Sequence, residues 1–255
     1  MLLALDVGNT NITAGVFSGR RLVRQWRLKT DPAIGVHRLA RALKRGKFSA
    51  VVYGSVVPAL DRKIERAVSS AFGCRALSVT PRSRLGLKLR VRTPGQVGAD
   101  RILNAVAAFE RSKGAAVVID FGTATTFDCV ARNGDYLGGA ILPGPNMAAR
   151  ALHEFTAKLP LVPVARPRRV IGRDTVECIQ AGLYFGYLGM VEKVLQWTLM
   201  EMKRGGEGKA SVYATGGLSA LFKNELPGRA VLVADLTLEG LRIAFERLAG
   251  RGESC

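Results

Sequence analysis

One pattern occurs twice in this chain and restricts what it can fold into more than any other feature. The run Leu2-Leu3-Ala4-Leu5-Asp6-Val7-Gly8-Asn9-Thr10 is an apolar strand that ends in an acid, then a glycine and polar side chains. Ala116-Val117-Val118-Ile119-Asp120-Phe121-Gly122-Thr123 has the same form. Each is followed by a second apolar stretch (12–17 and 126–130), a turn at Ser18-Gly19 or Asn133-Gly134, and a third strand-like segment (22–28 and 136–142). The turn glycine falls 13 or 14 residues after the acid, and Asn-Gly is a strong hairpin signal. A helical pattern and a further apolar strand then follow in each half, at 51–57 and 211–214. A lone strand–Asp–x–Gly is common, but three consecutive matching elements at one offset make chance the weaker account. The chain therefore reads as two homologous α/β lobes, residues 1–113 and 114–255, with the boundary near Gly114.

Composition narrows the setting. With 48% hydrophobic and 23% charged side chains over 255 residues, the chain is a folded globular protein, and disorder as its general state is excluded. Cys74, Cys129, Cys178 and Cys255 are scattered, without a Cys-x-x-Cys or a signal-peptide pattern. Metal clusters and a disulfide framework are disfavoured, and a reducing cytoplasm fits. The longest uncharged apolar stretch, 178–191, contains Gln180 and three glycines and is too short for a bilayer, so no membrane association is expected.

The net charge of +18 is uneven: residues 1–92 hold 19 Lys/Arg against 4 Asp/Glu, and the remainder 19 against 16. Such asymmetry raises the question of nucleic acid. The cations sit in helix-like and turn-like stretches, without the interleaved aromatics of a single-strand platform, and no zinc-finger, RNP or KH pattern is present. A solvated face that attracts anionic ligands is favoured over a specific nucleic-acid site.

Two such lobes facing each other make a cleft, with each Asp-x-Gly on a hairpin at its mouth. The glycine lets backbone approach a ligand, and successive N–H groups line up towards phosphate oxygens. Asn9, Thr10, Asn11 and Thr123 add neutral hydrogen bonds. Asp6 and Asp120 would repel phosphate directly, so they imply an intervening cation. This describes a nucleoside triphosphate site, while the competing G-x-x-x-x-G-K-[ST] and G-x-G-x-x-G motifs are absent. The strand–double glycine–helix element Val212-Tyr213-Ala214-Thr215-Gly216-Gly217-Leu218 suits the sugar and base of a nucleotide.

These residues resemble the acetate kinase, sugar kinase, heat-shock ATPase and actin superfamily, whose ribonuclease-H-like lobes hold ATP in the cleft between them. Five motifs narrow the resemblance to the type III pantothenate kinases: Asp6-Val7-Gly8-Asn9-Thr10-Asn11, Gly98-Ala99-Asp100-Arg101, Asp120-Phe121-Gly122-Thr123-Ala124-Thr125, Gly138-Gly139-Ala140-Ile141-Leu142-Pro143-Gly144 and Gly172-Arg173-Asp174-Thr175. They run in the family's order from Leu3 to about Phe245. The resemblance implies ATP-dependent phosphorylation of pantothenate to 4'-phosphopantothenate, the first step of coenzyme A synthesis, with Mg²⁺ accompanying ATP. It implies ATP contacts from Asp6, Val7, Gly8, Asn9, Thr10, Asn11, Ile12, Thr13 and Thr123. Gly98, Ala99, Asp100 and Arg101 form the pantothenate site, with Asp100 as proton acceptor. Asp120 binds a monovalent cation (potassium or ammonium), and Thr175 touches pantothenate from the partner subunit of a homodimer.

Elementary physics bears on several of these roles. Asp100 precedes an apolar helical pattern, so it can cap that helix, whose dipole favours the ionised carboxylate. Arg101 could meet the acceptor's carboxylate or the transferring group; the sequence leaves both open. One position departs from the family pattern: Val91 stands where the family has a pocket tyrosine, and Arg90 or Arg92 is then expected to draw in the pantothenate carboxylate.

Asp174-Thr175-Val176-Glu177 resembles a capping box that opens a long helix towards Lys203. Its strip of Gly182, Gly186 and Gly189 suits either an internal packing seam or the dimer interface that the resemblance favours. His37 and His153 lack a nearby nucleophile, Trp26 and Trp197 fit packing positions, 166–169 reads as a solvated loop, and Asp135 as turn chemistry. The rivals to a kinase are a family member that has shed catalysis for a regulatory role, and a basic nucleic-acid-associating module.

Overall fold

The computed structural model describes residues 1–222, 224–225 and 230–250; Cys255 lies outside them. Two five-stranded sheets organise the chain. The first contains β1 (Leu2–Val7), β2 (Asn11–Ser18), β3 (Arg21–Lys29), β4 (Ala50–Ser55) and β5 (Ala76–Val79) in the order β3-β2-β1-β4-β5. The second contains β6 (Ala116–Phe121), β7 (Ala124–Val130), β8 (Tyr136–Pro143), β9 (Ser211–Thr215) and β10 (Val231–Leu232), and read from β8 to β10 its order is the same. In each sheet the strand that ends in the acid pairs antiparallel with its hairpin partner and parallel with the next strand. The repeat seen in the sequence is thus a repeat of topology.

The central strand β1 is buried on both faces, which is why it reads as an unbroken apolar run rather than an alternating one. Leu3, Leu5 and Val7 join one core with Leu39 and Leu43 of α1 (Val36–Leu43) and Leu60 and Ile64 of α2 (Pro58–Phe72). The opposite face, which carries Asp6, meets α3 (Ala99–Ser112) and α7 (Leu236–Ala249): a Cβ on Gly54, the β4 residue beside Asp6, would lie 2.7 Å from a Leu103 methyl. Phe121, Ile119 and Val117 build a second core with Tyr184, Tyr187, Val191 and Leu195. These come from a helical rod made of α5 (Thr175–Ala181), a π-helical turn (Gly182–Gly186) and α6 (Tyr187–Arg204). The helix α4 (Pro145–Glu154) follows β8.

The chain separates into two compact units, Met1–Arg111 with Gly134–Tyr136 and the segment from Asp235 on, and Ser112–Asn133 with Leu137–Ala234. A straight cut at 113/114 does not describe them, because α7 belongs to the first unit. Its Leu236, Leu238, Leu241, Ile243 and Leu248 are buried, and burying each large aliphatic side chain contributes about 1.5–3 kcal/mol. Gly240 allows the close crossing, since a Cβ there would fall 2.2 Å from the Leu103 carbonyl oxygen. Thr237 Oγ1 also donates to Asn104 Oδ1 at 2.8 Å.

Candidate active site

In the first unit the turn 8–10 joins β1 to β2. The Gly8 N–H donates to the Asn11 carbonyl at 3.0 Å. Thr30, just past β3, ties the turn from the other side: its Oγ1 donates to Gly8 O at 2.6 Å and its N–H to Thr10 O at 2.9 Å. Asn9, Thr10 and Asn11 are exposed, Asp6 and Thr13 half-buried and paired in register across β1 and β2. Val7 and Ile12 are buried in the core, so only their main chain can meet a ligand.

The Gly98–Arg101 motif is brought to the same end of this sheet. Ala99 and Leu103 pack at Gly54, which lies beside Asp6, and Val56 N–H donates to Val7 O at 3.0 Å. Helix α3 starts at Ala99, so Asp100 lies in its first turn rather than capping it. Asp100 Oδ1 accepts the Arg101 N–H at 2.8 Å and crowds Gly98, where a Cβ would stand 2.4 Å away. Burial raises the Asp100 pKa above its ordinary value, outweighing the downward pull of the backbone hydrogen bond and of the Arg101 charge. The ionised state expected from the helix dipole is therefore opposed by desolvation.

The Arg101 guanidinium carbon sits 5.9 Å from the centroid of the Tyr136 ring. Tyr136 in turn anchors the segment that carries Val91: its N–H donates to Lys88 O at 2.9 Å, and it accepts from Arg90 N–H at 2.8 Å. Asp135 is more than a turn residue. Its two carboxylate oxygens take Lys88 N–H (3.2 Å) and Arg90 Nε (2.8 Å). Arg90 thus already has an anionic partner, and Arg92 is exposed. Val91 itself is half-buried. Sequence reasoning missed Thr30, Tyr136 and this use of Asp135, whose partners lie far away along the chain.

In the second unit Gly122 and Thr123 form the tight turn between β6 and β7. Two glycines close on it. A Cβ on Gly144, at the N-terminus of α4, would stand 2.2 Å from Thr123 O and 2.9 Å from Gly122 O. A Cβ on Gly216, whose φ is +91°, would stand 2.4 Å from Asp120 Oδ1 and 2.6 Å from the Phe121 backbone. Asp120 pairs in register with Thr126 and Thr215. Thr125, opposite Phe121, is buried and hydrogen-bonded to the Tyr187 hydroxyl, whose pKa burial pushes up to about 12. Gly144 was within reach of sequence reading because it closes the motif that starts at Gly138. Thr125 likewise closes the motif that starts at Asp120, whereas Tyr187 carried no such signal.

Thr175 is exposed at the first position of α5, twelve residues before Tyr187 on the same rod. The capping pattern forms: Glu177 N–H donates to Asp174 Oδ1 at 2.8 Å, and Glu177 Oε2 accepts from Arg173 N–H at 2.9 Å. A Cβ on Gly182, Gly186 or Gly189 would meet nothing within 4 Å, so this strip packs against no other segment of the described chain. Trp197 is 58% exposed and Met200 44%, rather than packed as expected for Trp197. Arg166, expected in a solvated loop, pairs with Glu225 at 2.7 Å. Among the described residues there is no helix long and apolar enough to cross a membrane.

A family model described as type III pantothenate kinase matches residues 2–196. A type III pantothenate kinase of Geobacter sulfurreducens is 44% identical over 256 residues, which covers 97% of this chain and 99% of that protein. One of Myxococcus xanthus is 45% identical over 258 residues, 97% of this chain and 98% of its own. Among solved structures, a Baf-family protein from Campylobacter jejuni superposes with a TM-score of 0.61 at 18% identity, covering 97% and 99% of the two chains. MreB5 of Spiroplasma citri bound to ADP gives 0.52 at 13% identity, covering 100% and 98%. At such identities these structures speak for the fold alone.

Proposed function

The chain belongs to the type III pantothenate kinase family, and from that premise we propose that it transfers the terminal phosphoryl group of ATP to the terminal hydroxyl of pantothenate, giving 4'-phosphopantothenate for coenzyme A synthesis. One observation supports this reading above the others: Asp6 and Asp120 are each the next-to-last residue of the middle strand of sheets with one topology, two residues before the glycine of a turn. Turns of this kind offer main-chain N–H groups to phosphate oxygens. In this reading Asp6 to Thr13 and Thr123 contact ATP, Val7 and Ile12 through their backbone.

Asp100 is the proton acceptor for the pantothenate hydroxyl. Phosphoryl transfer through a loose transition state asks little of a base until late, so holding the hydroxyl in line matters most. Desolvation makes the ionised Asp100 a stronger base than an exposed aspartate, which suits that late proton. Arg101, held against Tyr136, supplies positive charge beside it. Its partner is the acceptor's carboxylate or the moving phosphoryl group.

The acids fit hard cations, since Asp120 presents carboxylate oxygen against the backbone of two glycine turns. Mg²⁺ enters with ATP, and Asp120 holds potassium or ammonium, which offsets its charge near phosphate. The unfilled glycine strip, with Trp197 and Met200 exposed further along the rod, supports a homodimer in which Thr175 reaches the pantothenate of the partner subunit. Such an enzyme works where ATP is made and used, in the cytoplasm.

A coupled assay of ATP consumption by the purified protein, with and without pantothenate and with and without potassium, tests the proposal. Turnover that needs both is the expected result. Turnover indifferent to pantothenate would overturn it.

A further inference from the structure

Nothing in the proposed chemistry uses Tyr187, yet its hydroxyl is one of the deeply placed polar groups of the second unit. Its ring lies in the core with Phe121 and Phe222, at centroid distances of 6.1 and 5.0 Å. Its hydroxyl reaches Thr125 Oγ1, itself buried. Thr125 pairs with Phe121 across the β6–β7 hairpin, so these two residues close the turn formed by Gly122 and Thr123. The backbone of that turn is already packed at Gly144 and Gly216. What those glycines leave undetermined is the strand that leaves the turn, and Thr125 is the first core residue of that strand.

The rod's departure from α geometry falls at this place. The π-helical turn Gly182–Gly186 ends directly before Tyr187. Such a turn adds a residue to one turn of the helix and so re-aims the side chains that follow; π turns recur at functional sites. A buried hydroxyl pair is costly to leave half-made, which keeps Tyr187 and Thr125 engaged.

We infer that Tyr187 is a positioning residue for phosphoryl transfer: through Thr125 it fixes the strand behind the Gly122–Thr123 turn and hence the turn's N–H and hydroxyl groups. This deepens the proposed function and rests on the reading that the turn contacts ATP.

Three variants test it, with steady-state kinetics for both substrates and thermal melting. Tyr187→Phe and Thr125→Val each delete one hydroxyl, and Thr125→Ser keeps one. Each deletion should lower kcat/KM for ATP about tenfold while the KM for pantothenate stays within twofold. The double variant should be no worse than either single one, because one interaction is being removed twice. Thr125→Ser should recover most of the loss. A general packing defect would instead disturb both substrates together and would not be rescued by serine. Values for ATP within twofold of wild type in the two deletions, or losses that multiply in the double variant, overturn the inference. Should Tyr187→Phe fail to fold, the valine and serine variants at Thr125 decide by themselves. Thr123→Ala separates the two levels of argument. If it leaves the KM for ATP unchanged, the nucleotide reading of the turn fails and this inference with it. If it raises that KM while the hydroxyl deletions do nothing, only the role of Tyr187 fails.

Discussion

Replacing Gly144 by alanine isolates one contact on which the second turn depends. Gly144 caps α4 with φ −70° and ψ 158°, a conformation open to any residue, so the substitution carries no backbone strain. Its whole effect must come from the added methyl and from the change of cap. The methyl would lie 2.2 Å from Thr123 O, about 1 Å short of an ordinary carbon–oxygen approach. Overpacking of this kind costs about 1–3 kcal/mol, and alanine is a poorer cap than glycine by something under 1 kcal/mol. The sum, about 1–4 kcal/mol, is a sizeable share of the roughly 5–15 kcal/mol that holds a domain together. For a chain of this size it lowers Tm by roughly 2–16 °C. If the turn yields instead of the helix, a shift of about 1 Å lowers kcat/KM for ATP on the order of 100-fold. The matched control is Gly35→Ala. Gly35 caps α1 with nearly the same angles, φ −72° and ψ 145°, but a Cβ there meets nothing within 4 Å. Differential scanning calorimetry and ATP kinetics on both variants give the contact by difference. Equal melting temperatures for the two, with wild-type ATP kinetics for Gly144→Ala, would refute the reasoning.

Further outcomes are expected at three positions. Asp100→Asn should cut kcat by roughly 100- to 10,000-fold while changing nucleotide affinity less than twofold, measured by turnover and by ADP titration. Because burial raises the Asp100 pKa, the stability this group lends is present at low pH and is lost as pH rises through the folded-state value. Asp100→Asn should therefore melt higher than wild type at neutral pH, and wild-type kcat/KM for pantothenate should fall on the acid side at a pH above the usual carboxylate range. Gly189→Arg should turn a dimer at micromolar concentration into a monomer by sedimentation equilibrium; a monomeric wild type removes the dimer reading. Val91→Tyr should lower the KM for pantothenate several-fold, and an unchanged KM would put that position outside the pocket.

The parts of the fold that were legible in the sequence are those whose causes are local. Strands buried on both faces read as apolar runs, the Ser18-Gly19 and Asn133-Gly134 turns announce their hairpins, and Asp174 with Glu177 marks a helix start. The parts that were not legible have distant causes. The apolar face of α7 fits either sheet by pattern, and contacts distant in sequence, such as the crossing at Gly240 and Leu103, assign it to the first. Asp135 follows Asn-Gly and reads as a turn residue, but its partners are Lys88 and Arg90. Asp100 lies two positions past the cap, Gly98, a distinction set by where α3 begins. Tyr187 follows a π turn, which shifts the 3.6-residue periodicity used to judge which face a helical residue presents. Within the candidate site, the two acids and their glycines stood out by repetition and Thr125 by its motif, whereas Thr30, Tyr136 and Tyr187 act by contacts across the fold that no spacing rule encodes.

That α7 completes the first sheet has a consequence for how the protein is made. During synthesis β1 to β5 and α3 leave the ribosome long before residue 235, so the part of the Asp6 face that α7 covers must wait while the second unit is translated. Contacts such as Asn104–Thr237 close a loop of more than a hundred residues, which makes this docking a late and slow event. A nascent chain stalled before Asp235 should accordingly protect the second unit from proteolysis while its amino-terminal sheet remains cleavable.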